Sequence, residues 1–155
     1  MTLRPIDDGN RAAVEALRVA PGQEKFVDSV RDSIDEAATY TPPPWYRAVY
    51  AGEVPVGFVM ISDDHPDSPW RYYLWRLLID ADHQGRGYGR AALDLLTAYV
   101  RTRPGADWLV TSVATYDDPE IDATGPMAFY LGYGFEETGE RHDHERVIRL
   151  KLTSP

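Results

Sequence analysis

A run of three alternating glycines is the feature that most constrains how this chain can fold. Residues 82–90 read DHQGRGYGR, with glycines at 85, 87 and 89. The apolar segment RLLID ends just before the run, and the helical pattern YGRAALDLLTAYVRT begins inside it. A strand, a glycine loop and a helix in this order expose backbone N–H groups at a helix N-terminus, where the helix dipole favours anions. The pattern therefore predicts either a phosphate-binding loop or a flexible glycine turn.

Two better-known phosphate motifs do not fit this spacing. A nucleotide P-loop ends in Gly-Lys-Ser/Thr, whereas Gly89 is followed here by Arg90 and Ala91. A dinucleotide fingerprint G-x-G-x-x-G that starts at Gly85 requires a third glycine where this chain has Arg90. Arg86 and Arg90 can still add charge-assisted hydrogen bonds to an anion. Both nucleotide motifs are therefore excluded, while the phosphate loop and the plain turn stay open.

Charge and composition limit the partners of the chain. Its 155 residues, 43% of them apolar, are typical of one domain spanning residues 1–155. With 25 acidic and 16 basic residues the formal charge is −9, which disfavours nucleic acid and anionic membrane as partners. The absence of cysteine excludes disulfides, thiolate metal sites and a cysteine nucleophile. Because the apolar runs are short and the N-terminus lacks a signal-peptide pattern, we expect a soluble cytoplasmic protein.

Hydrophobic periodicity predicts a single mixed α/β domain. In chain order the pattern predicts a helix over about Asn10–Val19, a helix over about Gln23–Ala38, hairpin strands at 45–51 and 54–62, a strand at 70–80, a helix from Tyr88, a strand at 108–114, a short helix within 127–135 closed by Gly132 or Gly134, and a strand at 145–152. The residues expected on the buried stripe of the helix after the glycines are Ala91, Leu95, Leu96 and Tyr99.

Two segments together resemble a known family. The run Gln84-Gly85-Arg86-Gly87-Tyr88-Gly89 is similar to the Gln/Arg-x-x-Gly-x-Gly/Ala loop of the GNAT superfamily of N-acetyltransferases. The segment FYLGYGFEETGE, residues 129–140, resembles the family's Phe-Tyr-x-x-x-Gly-Phe segment. The resemblance covers nearly the whole chain and is strongest to diamine and spermine/spermidine acetyltransferases. It implies the α/β GNAT acyl-CoA N-acyltransferase fold, a mixed and mostly antiparallel central sheet with a splayed strand pair, flanked by helices.

The same resemblance implies acetyl-CoA as co-substrate and no metal. The pyrophosphate would lie on the loop amides, and the pantetheine arm would pair with the strand before the loop. The implied cofactor-binding residues are Leu77, Leu78, Ile79, Gln84, Gly85, Arg86, Gly87, Tyr88, Gly89 and Arg90. A backbone N–H near Leu77 or Leu78 would be the oxyanion donor. Tyr130 would be catalytic, as the general acid that protonates the departing thiolate; the alternative is a tyrosine that only packs the core.

Two positions depart from the family's pattern. Ala123 stands where family members often have a cofactor-contacting asparagine, and Trp75 stands where many polyamine-acetylating members have a glutamate as general base. An ammonium group, with a pKa near about 10, must lose a proton before its nitrogen can attack a thioester. The acceptors that the residues leave open are water, Glu24, Tyr116, Asp117, Asp118 and Glu120.

The acceptor substrate is expected to be a primary amine of a small molecule, with a polyamine preferred. Other amines (an amino acid, an amino sugar or a protein N-terminus) and a non-catalytic module that binds acyl-CoA or a regulatory partner are the alternatives. The acidic residues that would attract a polycation are Glu15, Glu24, Asp28, Asp32, Asp35 and Glu36. The aromatic residues that would line an acceptor cleft, if they do not pack the core, are Tyr40, Trp45, Tyr46, Trp70, Tyr72, Tyr73 and Trp75.

The sequence contains few signals for metal binding or for oligomeric state. His142 and His144 alternate as two ligands on one side of a strand would, but no third ligand stands at a recognisable spacing, so no metal is predicted. The resemblance allows a homodimer, although the sequence has no coiled-coil heptad or long apolar run to mark an interface.

Overall fold

The computed structural model describes residues 1–123 and 125–152 of the chain. Within these ranges the chain forms a seven-stranded sheet, five α-helices and a short 3-10 helix. The strands are β1 (Thr2–Arg4), β2 (Trp45–Ala51), β3 (Val54–Asp63), β4 (Tyr72–Ile79), β5 (Trp108–Ala114), β6 (Glu136–His142) and β7 (Glu145–Lys151). The helices are α1 (Arg11–Glu15), α2 (Val30–Ala37), α3 (Tyr88–Arg101), α4 (Pro119–Ala123) and α5 (Met127–Tyr133), with the 3-10 helix at Ala81–His83. No helix among these residues is both long and apolar enough to cross a membrane.

The sheet is mixed and mostly antiparallel, in the order β1-β2-β3-β4-β5-β7-β6. Neighbouring strands are antiparallel except β4 and β5, which are parallel and are joined through the glycine loop and α3. The fold class expected from the sequence is therefore confirmed. The hairpin of β2 and β3, the start of α3 at Tyr88 and the end of α5 before Gly134 also match the predictions.

The two parallel strands separate at one end. In the described part of the chain β4 and β5 pair only at Tyr73 with Val110 and at Leu74 with Thr111. Directly after these pairs, β4 carries a β-bulge, because Leu74 faces Ile61 while Arg76 faces Met60, which leaves Trp75 as the extra residue. The rest of β4 continues along β3, so a gap opens between β4 and β5 that ends at the glycine loop.

Two apolar clusters lie on the two faces of the sheet. One contains the buried side of α3, and the other contains α1, α2 and Leu78 of β4. The predicted stripe of α3 is only partly correct, because Leu96 is fully buried but Ala91, Leu95 and Tyr99 are half-buried. The residues at the centre of the buried side are Ala92, Leu93, Leu96, Thr97 and Val100. Tyr99 lies at the edge because its hydroxyl donates to Asp63 at 2.7 Å.

The two N-terminal helices are shorter than predicted. The first ends at Glu15, and the second begins only at Val30, where the Ser29 hydroxyl accepts a hydrogen bond from the Asp32 N–H at 3.1 Å. Pro21 and Gly22 interrupt the helical conformation between these two helices, and Gly22 has φ +89. Phe26 and Val27 follow the helical spacing but lie before α2, where Val27 packs against the cluster that contains Leu78 and Phe26 packs edge-on against Tyr116.

Three elements of the structure are not predicted from the sequence. β1 has only three residues, α4 lies in a segment read as polar loop, and β6 was not recognised as a strand. The sequence of β6, EETGERH, is almost entirely polar and exposed because it is the last strand at one edge of the sheet. A strand that does not bury one face has no alternating pattern to reveal it.

Candidate active site

The glycine loop leaves the N-terminus of α3 open. Gly85 and Gly87 both have φ +77, a left-handed conformation that glycine adopts without steric cost. Gly87 is the N-cap of α3 and supplies no side-chain cap, so the first N–H groups of the helix have no side-chain acceptor there. A Cβ added at either glycine would meet no atom within 4 Å. Backbone donors, the positive end of the helix dipole and free space therefore coincide, as an anion site requires.

Gly89 connects the two segments that were singled out in the sequence. A Cβ at Gly89 would lie 3.2 Å from Cζ of Phe129 in α5, closer than ordinary van der Waals contact. The start of α3 and the start of α5 therefore pack against each other, and a side chain at Gly89 would require the Phe129 ring to shift by a few tenths of an ångström.

Gln84 fixes the start of the loop. Its side-chain amide donates to the Ile79 carbonyl at 2.9 Å and to Oε1 of Gln23 at 2.8 Å. The loop is thereby held to the end of β4 and to the turn after α1, so the side chain of Gln84 has a positioning role here.

A cavity of about 410 Å³ lies between the glycine loop, the gap and α5, and we call it the loop cavity. Its lining residues are Val19, Gln23, Phe26, Val27, Leu74, Trp75, Leu77, Leu78, Ile79, His83, Gln84, Gly85, Gly87, Tyr88, Gly89, Arg90, Thr111, Ser112, Val113, Gly125, Pro126, Phe129 and Tyr130. The structure thus brings together the predicted residues of β4 and the loop, together with Tyr130. Arg86 is the exception, because it is exposed and does not line this cavity.

Tyr130 lies at the inner end of the loop cavity. Its side chain is 7% exposed and packs edge-on against Phe129 and Phe135, with ring centroids 5.3 and 5.2 Å apart. Burial is the main reason that the pKa of Tyr130 lies well above 10, and Tyr73 adds to the effect. The phenol is therefore neutral and retains its proton at physiological pH.

A second cavity, of about 570 Å³, meets the loop cavity at the gap. The four residues that line both are Phe26, Val27, Trp75 and Ser112. The second cavity is rich in acid, and we call it the acidic cavity; its seven carboxyl residues are Glu24, Asp28, Glu36, Asp63, Asp67, Asp143 and Glu145. Lys25 and Arg76 are its lysine and arginine. Carboxylates outnumber these cations, so the cavity attracts positively charged molecules.

Ion pairs hold part of this acidic wall in place. Nη2 of Arg76 lies 2.8 Å from Oδ2 of Asp28 and 2.9 Å from Oε2 of Glu36. The side chain of Arg76 is only 13% exposed, so this bridge ties the segment before α2 and α2 itself to β4. Of the acidic residues predicted to attract a cation, Glu24, Asp28 and Glu36 line the cavity, whereas Glu15 pairs with Arg11 on α1.

Aromatic rings form another part of the acidic cavity. Tyr40 packs edge-on against Trp75 at 5.2 Å, and Trp70 stacks on Tyr73 at 5.1 Å. Four of the seven predicted aromatic residues thus line this cavity. The other three pack elsewhere: Trp45 stacks on Tyr99, Tyr46 tilts against Phe58, and Tyr72 is buried in the core. Alternation along β4 separates Tyr72 from Tyr73, because successive side chains of a strand point to opposite faces.

The residues considered as proton acceptors are dispersed. Glu24 lines the acidic cavity. Tyr116 donates its hydroxyl to the Lys25 carbonyl at 3.0 Å. Asp117, Asp118 and Glu120 are exposed in and beside α4, apart from the residues that line the two cavities.

Several polar residues of the acidic cavity are not predicted from the sequence, among them Ser112, His142 and Glu145. Ser112 lies in β5, and His142 and Glu145 lie at the hairpin of β6 and β7. The only sequence signal was the histidine spacing at 142 and 144, which had been considered for a metal. In the described residues no group of three or more histidine, aspartate or glutamate side chains is arranged to hold a metal ion.

Comparison with known sequences finds acetyltransferases in each case. Residues 10–135 match the profile of the family described as "Acetyltransferase (GNAT) family". The L-2,4-diaminobutyric acid acetyltransferase of Streptomyces anulatus is 32% identical over 157 residues, covering 92% of this chain and 82% of that protein. The spermine/spermidine N(1)-acetyltransferase of Bacillus subtilis is 29% identical over 158 residues, covering 97% of each.

Solved structures share the fold along the whole chain. An acetyltransferase from Thermus thermophilus superposes with a TM-score of 0.70 at 21% identity, covering 97% of this chain and 96% of that one. An aminoglycoside 6'-N-acetyltransferase in complex with coenzyme A superposes with a TM-score of 0.69 at 15% identity, covering 100% of this chain and 99% of that one.

Proposed function

Because the chain belongs to the GNAT family of acetyl-CoA-dependent N-acetyltransferases, we propose that it acetylates a small amine of the polyamine or diamine type, one that carries more than one positive charge. The observation that supports this acceptor is the acidic cavity, in which seven carboxyl residues surround a space that opens onto the gap between β4 and β5. The names of the two curated relatives, one a diamine and the other a polyamine acetyltransferase, agree with this acceptor class.

The donor side of the proposal uses the loop cavity. We propose that the pyrophosphate of acetyl-CoA binds the N–H groups at the start of α3, beside Gly85, Gly87 and Gly89, and that Arg90 adds a charge at the cavity wall. The pantetheine arm would lie along residues 77–79 of β4. The acetyl group would then reach the gap, where a backbone N–H near Leu77 or Leu78 would stabilise the oxyanion.

The proposed reaction is a direct attack. The amine nitrogen forms a bond to the acetyl carbonyl carbon, the carbon–sulfur bond breaks, and the thiolate of coenzyme A leaves. Tyr130 gives its phenolic proton to that sulfur, and the second proton of the nitrogen, released as the amide forms, restores the phenol. Burial raises the pKa of Tyr130, so the phenol keeps its proton until a thiolate, whose charge the same buried space disfavours, accepts it.

An amine screen tests the proposed acceptor. We expect release of free coenzyme A with 1,4-diaminobutane and spermidine, at a kcat/KM about tenfold or more above that of butylamine, equivalent to about 1.4 kcal/mol. The second ammonium would bind in the acidic cavity, so the difference should shrink with added salt. The assay detects the released thiol. Equal rates for diamine and monoamine, preference for peptides or amino sugars, or no release with any amine would contradict the proposal.

Gly87 provides a test of the donor site. Substitution by alanine forces a side chain into the left-handed region at φ +77, and we expect stability to fall by about 1 kcal/mol. Its methyl group would also occupy the open space where the phosphate is proposed to bind, so acetyl-CoA should raise the melting temperature less than in wild type. Gly52→Ala is the matched control, because Gly52 is also left-handed at φ +59 in open space but lies in the β2–β3 turn. A similar acetyl-CoA shift in both variants would argue against phosphate binding at the loop.

A further inference from the structure

Three side chains from three adjacent strands form a hydrogen-bonded row in the wall of the acidic cavity. The Tyr73 hydroxyl in β4 lies 2.6 Å from Oγ of Ser112 in β5. Oγ of Ser112 donates to Oε1 of Glu145 in β7 at 3.0 Å. A serine hydroxyl has a single proton, and in this row it is directed at Glu145, so Tyr73 must be the donor to Ser112. The row therefore has one direction, from Tyr73 through Ser112 to the carboxylate.

The position of the row relates it to the chemistry. Tyr73 is one of the two residues at which β4 still pairs with β5, immediately before the strands separate. Ser112 lines both cavities, and Tyr73 and Glu145 line the acidic cavity. Tyr130 lines the loop cavity, so Ser112 joins the row to the cavity that holds the proposed proton donor to sulfur.

We infer that Tyr73, Ser112 and Glu145 form a proton relay that removes the proton from the attacking amine, an inference that rests on the proposed function. Trp75 stands at the bulge of β4 where the related enzymes were expected to have a glutamate. The relay connects a carboxylate of β7, through two hydroxyl groups, to the cavity that Trp75 also lines.

The three side chains can move one proton from the substrate ammonium group to Glu145. A lone pair of the Tyr73 oxygen accepts a hydrogen bond from the substrate ammonium. As the N–H bond breaks, Tyr73 takes that proton and passes its own to Oγ of Ser112, which passes its own to Oε1 of Glu145. The amine nitrogen is left with its lone pair for the bond to the acetyl carbon, both hydroxyl groups are restored, and Glu145 carries the proton. Glu145 is half-buried at an open cavity and can release the proton to water.

Charged residues near the relay affect the pKa of Tyr73. Burial is the largest cause that raises the pKa of Tyr73. Glu145 and Asp143 raise the Tyr73 pKa further, and Arg76 of β4 lowers it. His142 of β6 pairs with Glu145 across the hairpin, and Arg146 follows Glu145 in the chain. The hydroxyl groups therefore stay neutral and conduct a proton, while the carboxylate is the end of the row that can hold it.

Glu145→Gln tests the relay through its pH profile. Glutamine can still accept the hydrogen bond from Ser112 but cannot take up a proton. At pH 7 we expect kcat/KM for spermidine to fall about 10²-fold, within the range typical of general base catalysis. Without the relay, only amine that arrives as free base reacts, so the rate should rise about tenfold per pH unit and approach wild type near the amine pKa of about 10.

Two further variants and a control make the result decisive. Tyr73→Phe and Ser112→Ala interrupt the same row and should show the same alkaline recovery, and adding Ser112→Ala to Glu145→Gln should cost little more. Glu140→Gln changes an exposed carboxylate of the same hairpin and should behave as wild type. Thermal melting and acetyl-CoA binding report whether each variant is folded.

The possible outcomes separate the relay from the proposed function. If wild type releases no coenzyme A with any amine, the proposed function fails. If wild type is active, the relay is overturned by an unchanged pH profile in Glu145→Gln and Tyr73→Phe, by an equal loss at every pH, or by a rise in KM alone. The last result would assign Glu145 to binding a second ammonium group.

Discussion

Replacement of Tyr130 by phenylalanine is expected to lower kcat about 10²-fold while leaving the affinity for acetyl-CoA nearly unchanged. The variant keeps the ring that packs between Phe129 and Phe135 and removes only the hydroxyl. The thiolate would then leave without a proton, in a buried site that disfavours its charge. The measurement is steady-state kinetics by thiol release, combined with a binding titration of acetyl-CoA.

Tyr133→Phe is the matched control for this substitution. Tyr133 lies in the same helix, but its hydroxyl donates to Asp94 at 2.6 Å on the outer side of α3, and it is not among the residues that line the loop cavity. We expect its kcat to equal that of wild type. Equal kcat in Tyr130→Phe and wild type would assign Tyr130 to the core, the alternative that the sequence left open.

Gly57→Ala is expected to destabilise the protein by about 3 kcal/mol, at the upper end of the range for overpacked cores. Gly57 in β3 faces Ile79 at the end of β4, and an added Cβ would fall on the Leu78 carbonyl and lie 2.8 Å from Cδ1 of Ile79. Because the first obstacle is backbone, the end of β4 must move. In a chain of this size the melting temperature should fall by roughly 10 °C.

The same movement should impair the proposed donor site, since residues 77–79 of β4 line the loop cavity. Gly132→Ala is the control, because Gly132 lies within α5 and an added Cβ there meets no atom within 4 Å. That variant should be as stable as wild type or up to about 1 kcal/mol more stable. A melting temperature for Gly57→Ala within one or two degrees of wild type would show that β4 tolerates the displacement.

The strand, loop and helix of the proposed donor site could be predicted from the sequence because their signals are local. The apolar strand, the glycines and the helix follow one another within residues 76–102, and each has a period or a backbone conformation that the residues specify. The second segment, at 129–135, could be located by its resemblance to the family. In the structure the two segments meet where Gly89 approaches the ring of Phe129.

The acidic cavity could not be predicted in the same way. Its walls come from the segment before α2, from β4 and β5, and from the hairpin of β6 and β7. Glu145 meets Ser112 only because β7 pairs with β5, a register that depends on the arrangement of the whole sheet. The bulge at Trp75 also has no local signature, since it depends on the pairing of β4 with β3.

The separation of β4 and β5 gives the centre of this sheet the properties of two sheet edges. Edge strands normally face solvent and are protected by charge or by short length. Here the two edges are internal and bordered by apolar side chains such as Leu77 and Val113, so solvent can satisfy their amide groups only through the cavities. We propose that the amide groups of the pantetheine arm bind there as an additional strand. The sheet is least continuous between β4 and β5, and the proposed extended ligand would bind at this same position.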